Sequence, residues 1–108
     1  MEPIEINAGA WYLRALRADE RVDDRPALTS LGVDDSEYVS ARTADWDSDH
    51  LYSWAVCEPT TAEMVAEVLL DPATGTIESR ARTDYPGSSG AEQEAVAAVR
   101  RFADAMLA

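Results

Sequence analysis

The sequence predicts an α+β fold, a mainly antiparallel sheet of about four strands covered by helices in the order β-α-α-β-β-β-α. Three observations lead there. Tyr52 to Cys57 and Met64 to Leu70 are rich in β-branched and aromatic residues and flank the turn-forming run Glu58-Pro59-Thr60-Thr61-Ala62-Glu63, so they read as an antiparallel hairpin. From about Gly90 to Leu107 the residues Ala95, Val96, Val99, Phe102, Met106 and Leu107 recur at helical spacing and form one apolar stripe. A lone hairpin is barely stable in water, so helices or further strands must cover at least one of its faces.

The elements follow in order. Residues 1 to 9, with Pro3, Asn7 and Gly9, read as a loose lead or short edge segment. From Ala10, Trp11, Leu13 and Ala15 alternate with Tyr12, Arg14 and Leu16 as a two-sided strand. The acidic, arginine-rich stretch Ala18 to Arg25 is a solvated loop leading to a short helix with Asp24 as N-cap, Pro26 in its first turn, Leu28 and Leu31 inward, and Gly32 as stop. A second helix starts at Asp34 or Asp35 and runs to about Asp47, with Trp46 as the anchor to the sheet. Within the hairpin, alternation groups Met64, Ala66, Val68 and Leu70 on one face and Val65, Glu67 and Leu69 on the other. After the turn Asp71-Pro72-Ala73-Thr74-Gly75, a strand from Thr76 to Arg82 sets Ile77, Ser79 and Ala81 against Glu78, Arg80 and Arg82. The last helix carries a capping-box signature, Ser89 with Glu92 three residues on.

Composition narrows the function classes. A chain of 108 residues with 46% hydrophobic content makes one globular domain, spanning 1 to 108. No apolar run has the length of a membrane span and no basic, apolar-cored leader opens the chain, so the cytoplasm is the expected address. The single Cys57 agrees with a reducing compartment. With 21 acidic and 9 basic residues the formal charge is −12, and every basic residue is arginine. A field of that sign repels phosphate backbones and anionic lipids, which excludes nucleic acid and membrane surfaces as expected partners.

Several constellations have residue types that could carry chemistry. Asp45-Trp46-Asp47-Ser48-Asp49-His50 places acids where a calcium loop has them, but His50 stands at the glycine position and Val56 at the bidentate glutamate position, so no metal is expected there. His50 is the lone histidine and has no clustered partner. Cys57, inside an apolar strand, reads as a small packed hydrophobe. Glu67 and Glu78 sit in alternating strands that pairing could bring together, which would raise a carboxylate pKa and suit a general base; the alternative is a polar sheet face meeting water.

The segments WYLRALRADERVDDRPAL, YVSARTADWDSDHLYSWAVCEPTTAEMVAEVLL and GTIESRARTDYPGSSGAEQEAVAAVRRFA resemble GNAT-type N-acetyltransferases, especially the Rim-like ribosomal-protein N-terminal acetyltransferase branch of actinobacteria. The resemblance spans nearly the whole chain, which would correspond to about the first two thirds of such a domain. It implies a helix start that receives the pyrophosphate of acetyl-CoA, here Gly87, Ser88, Ser89, Gly90 and Ala91, and a strand glutamate acting through water as general base, here Glu78. The family motif Q/R-x-x-G-x-G/A is degenerate: Gly87 stands for its basic or amide residue and Glu92 for its last small one. A carboxylate there has the wrong sign for the ligand, and a capping box would occupy the backbone donors. The expected function is therefore a truncated acetyltransferase-like domain without catalysis or cofactor, a binding or regulatory module whose partner is another protein or a second copy that covers an open sheet edge. The competing expectation is an acetyl-CoA-dependent N-acetyltransferase acting on an amine or protein N-terminus, with Glu78 as base.

Overall fold

The computed structural model describes residues 1–107. One antiparallel sheet runs in the order β1-β2-β3-β4-β5, with every strand beside its sequence neighbours. Its strands are β1 (Ile6–Ala8), β2 (Trp11–Arg14), β3 (Tyr52–Cys57), β4 (Met64–Leu70) and β5 (Ile77–Ala81). Helices α1 (Arg25–Ser30) and α2 (Tyr38–Ser48) lie in the connection from β2 to β3, and α3 (Ser88–Leu107) follows β5. The α+β class holds. The sheet has five strands against about four expected, because residues 1 to 9 form the short edge segment, the second of their two expected readings: Gly9 at φ +62 closes a tight turn that pairs Ala8 with Trp11 and adds β1 as an edge strand.

Apolar side chains from the two sheet faces make two clusters. On one side Leu13, Trp54, Val56, Val68 and Leu70 meet Ala91, Ala95, Ala98, Val99 and Ala103 of α3. On the other Leu16, Ala55, Cys57 and Met64 meet Ala27 and Leu28 of α1 and Tyr38 and Val39 at the start of α2. The α3 stripe is largely alanine, and small side chains let the helix sit close to the sheet. Its last turn departs from the expected stripe: Met106 and Leu107 are exposed, since a helix of 20 residues is about 30 Å long and outruns strands of at most 7 residues, about 23 Å. Trp46 anchors α2 as expected. It stacks on Tyr52 at 4.6 Å, meets Trp54 edge-on at 5.1 Å, and donates its indole N–H to Ser53 O at 3.1 Å.

Two expectations about these elements are corrected. Strand β4 carries a bulge: Val56 pairs with Ala66 while Cys57 pairs with Met64, which leaves one extra residue on β4. Val65 and Ala66 therefore both face α3, and Met64 turns to the α1 side, against strict alternation. Helix α2 begins at Tyr38 instead of Asp34 or Asp35. Asp35 Oδ1 accepts the Glu37 N–H at 2.9 Å, and that local turn occupies the residues that would have opened the helix.

Candidate functional site on β5 and the start of α3

Strand β5 is the edge of the sheet opposite β1, and among the described residues no strand pairs with its outer side. The alternation expected for it is present. Ser79 turns to α3, while Glu78 and Arg80 lie on the α1/α2 side, where Glu78 is opposite Leu69 and Arg80 opposite Glu67. Glu78 is exposed beside a cavity of about 180 Å³ lined by Glu67, Leu69, Glu78, Ser79 and Arg80.

Glu67 and Glu78 line that cavity together, but they do not form a paired-carboxylate site. Glu67 is 0% exposed and fully engaged: its Oε1 accepts from Arg80 Nε at 2.8 Å, and its Oε2 accepts from the Tyr38 hydroxyl at 2.8 Å. Arg80 Nη2 lies 2.7 Å from Glu67 and also donates to the Tyr38 hydroxyl at 3.0 Å. A buried carboxylate is costly unless paired and hydrogen-bonded, and this triangle supplies both. Burial, then the Glu67 charge, pushes the Tyr38 hydroxyl above its usual range. Desolvation pulls the Arg80 guanidinium down, yet Glu67 outweighs it and the net direction is up. Glu67 is thus a structural counter-ion. Beside it, Arg42 lies 4.8 Å over the Tyr38 ring and 2.9 Å from Asp45, and Ser53 Oγ is buried with no hydrogen-bond partner among the described residues.

At the start of α3 the expected capping box is absent. The helix opens at Ser88, whose hydroxyl donates back to the Arg82 carbonyl, and Glu92 Oε2 accepts from Ser79 Oγ at 2.7 Å. Ser89 is not the cap. The helix starts at Ser88, two residues before the expected Gly90, and Ser88 and Glu92 tie it to Arg82 and Ser79 instead. Of the proposed cofactor contacts, Gly87, Ser89 and Gly90 are exposed, whereas Ser88 and Ala91 are buried toward the sheet. Gly87 has φ +85, so a basic residue there would carry a left-handed backbone that side chains disfavour.

The charges around this helix start do not fit a pyrophosphate. Arg82, just past β5 and bonded through its carbonyl to Ser88, is already shared by Glu63 at 2.9 Å and Asp84 at 3.0 Å. The Asp84 hydrogen bond leads in holding Arg82 above its usual value, and Arg82 in turn holds the Asp84 carboxyl down. Glu92 adds a further negative charge. The outward N–H groups of an N-terminal helix turn favour an anion, but here Arg82 is committed to Glu63 and Asp84.

Sequence reasoning missed the ion pair under β2. Arg14 and Asp24, both buried, form a two-pronged pair at 2.8 and 2.9 Å; Asp24 Oδ2 also accepts the Arg17 N–H at 2.7 Å, and Arg14 Nη2 donates to Ala62 O at 3.2 Å. Asp24 does stand at the N-cap position of α1, but it makes no capping bond because its carboxylate serves Arg14. The pair backs a cavity of about 370 Å³ lined by Arg21, Asp23, Ser30, Thr61, Glu63 and Arg82, among others. Arginine within an apolar strand was the available signal. Cys57 is packed at 0% exposure, and burial pushes its thiol up to about 12. In the acidic loop, Asp49 Oδ1 takes the N-terminal ammonium at 2.9 Å and the Tyr52 hydroxyl at 2.7 Å.

Neither a family model nor a curated protein sequence matches this chain. A solved structure does: that of a Vibrio cholerae protein assigned as a ribosomal-protein-serine acetyltransferase, at a TM-score of 0.78 and 18% identity, covering 96% of this chain and 68% of that one. The chain has a partial GNAT-like fold. At that identity the likeness establishes architecture, and the remaining third of the Vibrio cholerae chain has no counterpart among the residues here. Among the described residues no helix is long and apolar enough to cross a membrane.

Proposed function

We propose that this acetyltransferase-like domain is non-catalytic and serves as a binding or regulatory module. The observation that carries the reading is the charge at the start of α3. The position of the family's basic residue is Gly87 in a left-handed conformation, Glu92 sits on Ser79, and Arg82 is committed to Glu63 and Asp84. A dianionic pyrophosphate placed there would meet carboxylates where it requires cations. Calorimetric titration of acetyl-CoA into the protein at low salt tests this: the expected result is no heat and no thermal stabilisation at millimolar ligand, whereas micromolar binding would sink the reading.

The acetyl-CoA-dependent N-acetyltransferase of the Rim-like branch remains the second reading, and one observation favours it. Glu78 is exposed beside a cavity of about 180 Å³, where a water-mediated general base could reach an amine. In that reading Glu78 takes the proton and Gly87 to Ala91 contact the cofactor. Acetyl transfer to a peptide N-terminus that disappears in Glu78→Gln would establish it.

A further inference from the structure

We propose that the outer edge of β5 pairs antiparallel with β5 of a second copy of this chain, in one register with Ser79 on the two-fold axis, to make a ten-stranded sheet. The inference rests on the reading of the domain as a binding module and names its partner.

The register follows from the backbone. Thr76 O accepts from Asp71 N at 2.9 Å and Arg82 N–H donates to Val65 O at 2.9 Å, so the even-numbered residues of this strand turn their main-chain groups inward to β4. In an antiparallel ladder the direction alternates, which leaves the N–H and C=O of Ile77, Ser79 and Ala81 pointing outward. A two-fold partner must match odd residues with odd ones. Centred on Ser79, the match pairs Ser79 with Ser79 and Ile77 with Ala81, so every outward group of the strand finds an acceptor or donor. The same register sets Glu78 opposite Arg80 of the second copy on both sides of the axis. Sliding by one step in either direction sets Glu78 against Glu78 or Arg80 against Arg80, a like-charge contact that disfavours those registers.

The side chains are placed for this. Glu78 is exposed and carries no hydrogen bond from another described residue, and Arg80, 38% exposed, uses Nε and Nη2 on Glu67 and Tyr38 while Nη1 has no hydrogen-bond partner among the described residues. On the opposite face Ile77 meets Ala81, extending the apolar surface under α3. One feature opposes association: Glu92, held on Ser79 at 2.7 Å, approaches its counterpart across the axis. Pairing along a single short edge with that repulsion gives a weak, concentration-dependent dimer.

The test is sedimentation equilibrium of the whole chain up to about 300 µM, where mass action makes a weak dimer visible, with thiol cross-linking of cysteine variants. Native Cys57 is 0% exposed and silent. In a hydrogen-bonded antiparallel pair the Cα atoms are about 5.5 Å apart, within disulfide reach. Ser79→Cys is expected to form a covalent dimer on mild oxidation, and Ala81→Cys alone is not, whereas an equal mixture of Ala81→Cys and Ile77→Cys is. Glu78→Arg, a surface change that leaves the fold intact by circular dichroism, is expected to weaken association at least about tenfold by setting arginine against arginine. A monomer at every concentration with no Ser79→Cys cross-link would overturn the pairing, as would equal cross-linking of Ala81→Cys with itself. None of these readouts uses acetyl-CoA, so failure here and failure of the non-catalytic reading are separable.

Discussion

Arg14 and Asp24 lie 10 residues apart in sequence and form the most buried ion pair of the molecule, with Arg14 holding the Ala62 carbonyl across the sheet as well. Removing one partner leaves an uncompensated charge in the core. Arg14→Ala should cost about 3–5 kcal/mol in urea denaturation, whereas Arg14→Met with Asp24→Leu should recover most of that loss. A double variant as unstable as the single one would show that packing, and not the stranded charge, sets the cost. The thiol of Cys57 gives a second test at this scale. Its folded value of about 12 lies above the unfolded value near 9, so its contribution is complete below pH 9 and is lost as pH rises toward 12. Cys57→Ala should flatten that limb in denaturation curves taken between these pH values; Tyr52, also raised to about 12, keeps part of it. Periodicity marked Cys57 as packed, yet it could not reveal the partners of Glu67. Tyr38 is 29 residues away and joins it only because α2 folds back over the sheet.

At the level of elements, the strongly patterned strands of the hairpin were readable to their ends, and the starts of α2 and α3 were not. Both strands of the central hairpin match their expected limits, because β-branched and aromatic runs between turn residues have few alternatives. The bulge at Val65 was invisible, since one inserted residue shifts faces without altering composition. At α3, Ser89 and Glu92 had the spacing of a capping box, but Glu92 accepts from Ser79 of β5 and the helix opens instead at Ser88, which donates to the Arg82 carbonyl. The two glycines that flank this start now separate by backbone. Gly87 at φ +85 terminates the turn, and Gly87→Ala should lower stability by about 1 kcal/mol or more. Gly90 is inside the helix, and a Cβ there meets nothing within 4 Å, so Gly90→Ala should raise stability by about 0.5–1 kcal/mol. Thermal melts of the two variants check both signs, and a destabilising Gly90→Ala would mean that its environment is tighter than the structure has it.

At the level of the molecule, −12 charges on 108 residues act against compaction, and the distribution of arginines decides which way salt moves stability. Arg14, Arg17, Arg25, Arg42, Arg80 and Arg82 are each within 4 Å of a carboxylate, so the positive charge is locally committed and the remaining acids repel one another at longer range. The two effects respond oppositely to screening. The exposed pairs, Arg17 with Asp19 and Arg25 with Asp23, are two residues apart and solvated, so water weakens them and much of each persists in the unfolded chain. The pair Arg14–Asp24 is buried and barely screened. Long-range repulsion is the term that salt removes most completely, because its separations exceed the Debye length of about 8 Å at physiological ionic strength. Raising sodium chloride from about 20 mM to about 500 mM should therefore raise the melting temperature by several degrees, equivalent to about 1 kcal/mol for a domain of this size. The melts should be run at a few micromolar, below the range in which β5 pairing operates, so that the shift reports the monomer. A melting temperature that falls with salt would mean that the ion pairs outweigh the repulsion, and that the acidic surface is compensated far better than its net charge indicates.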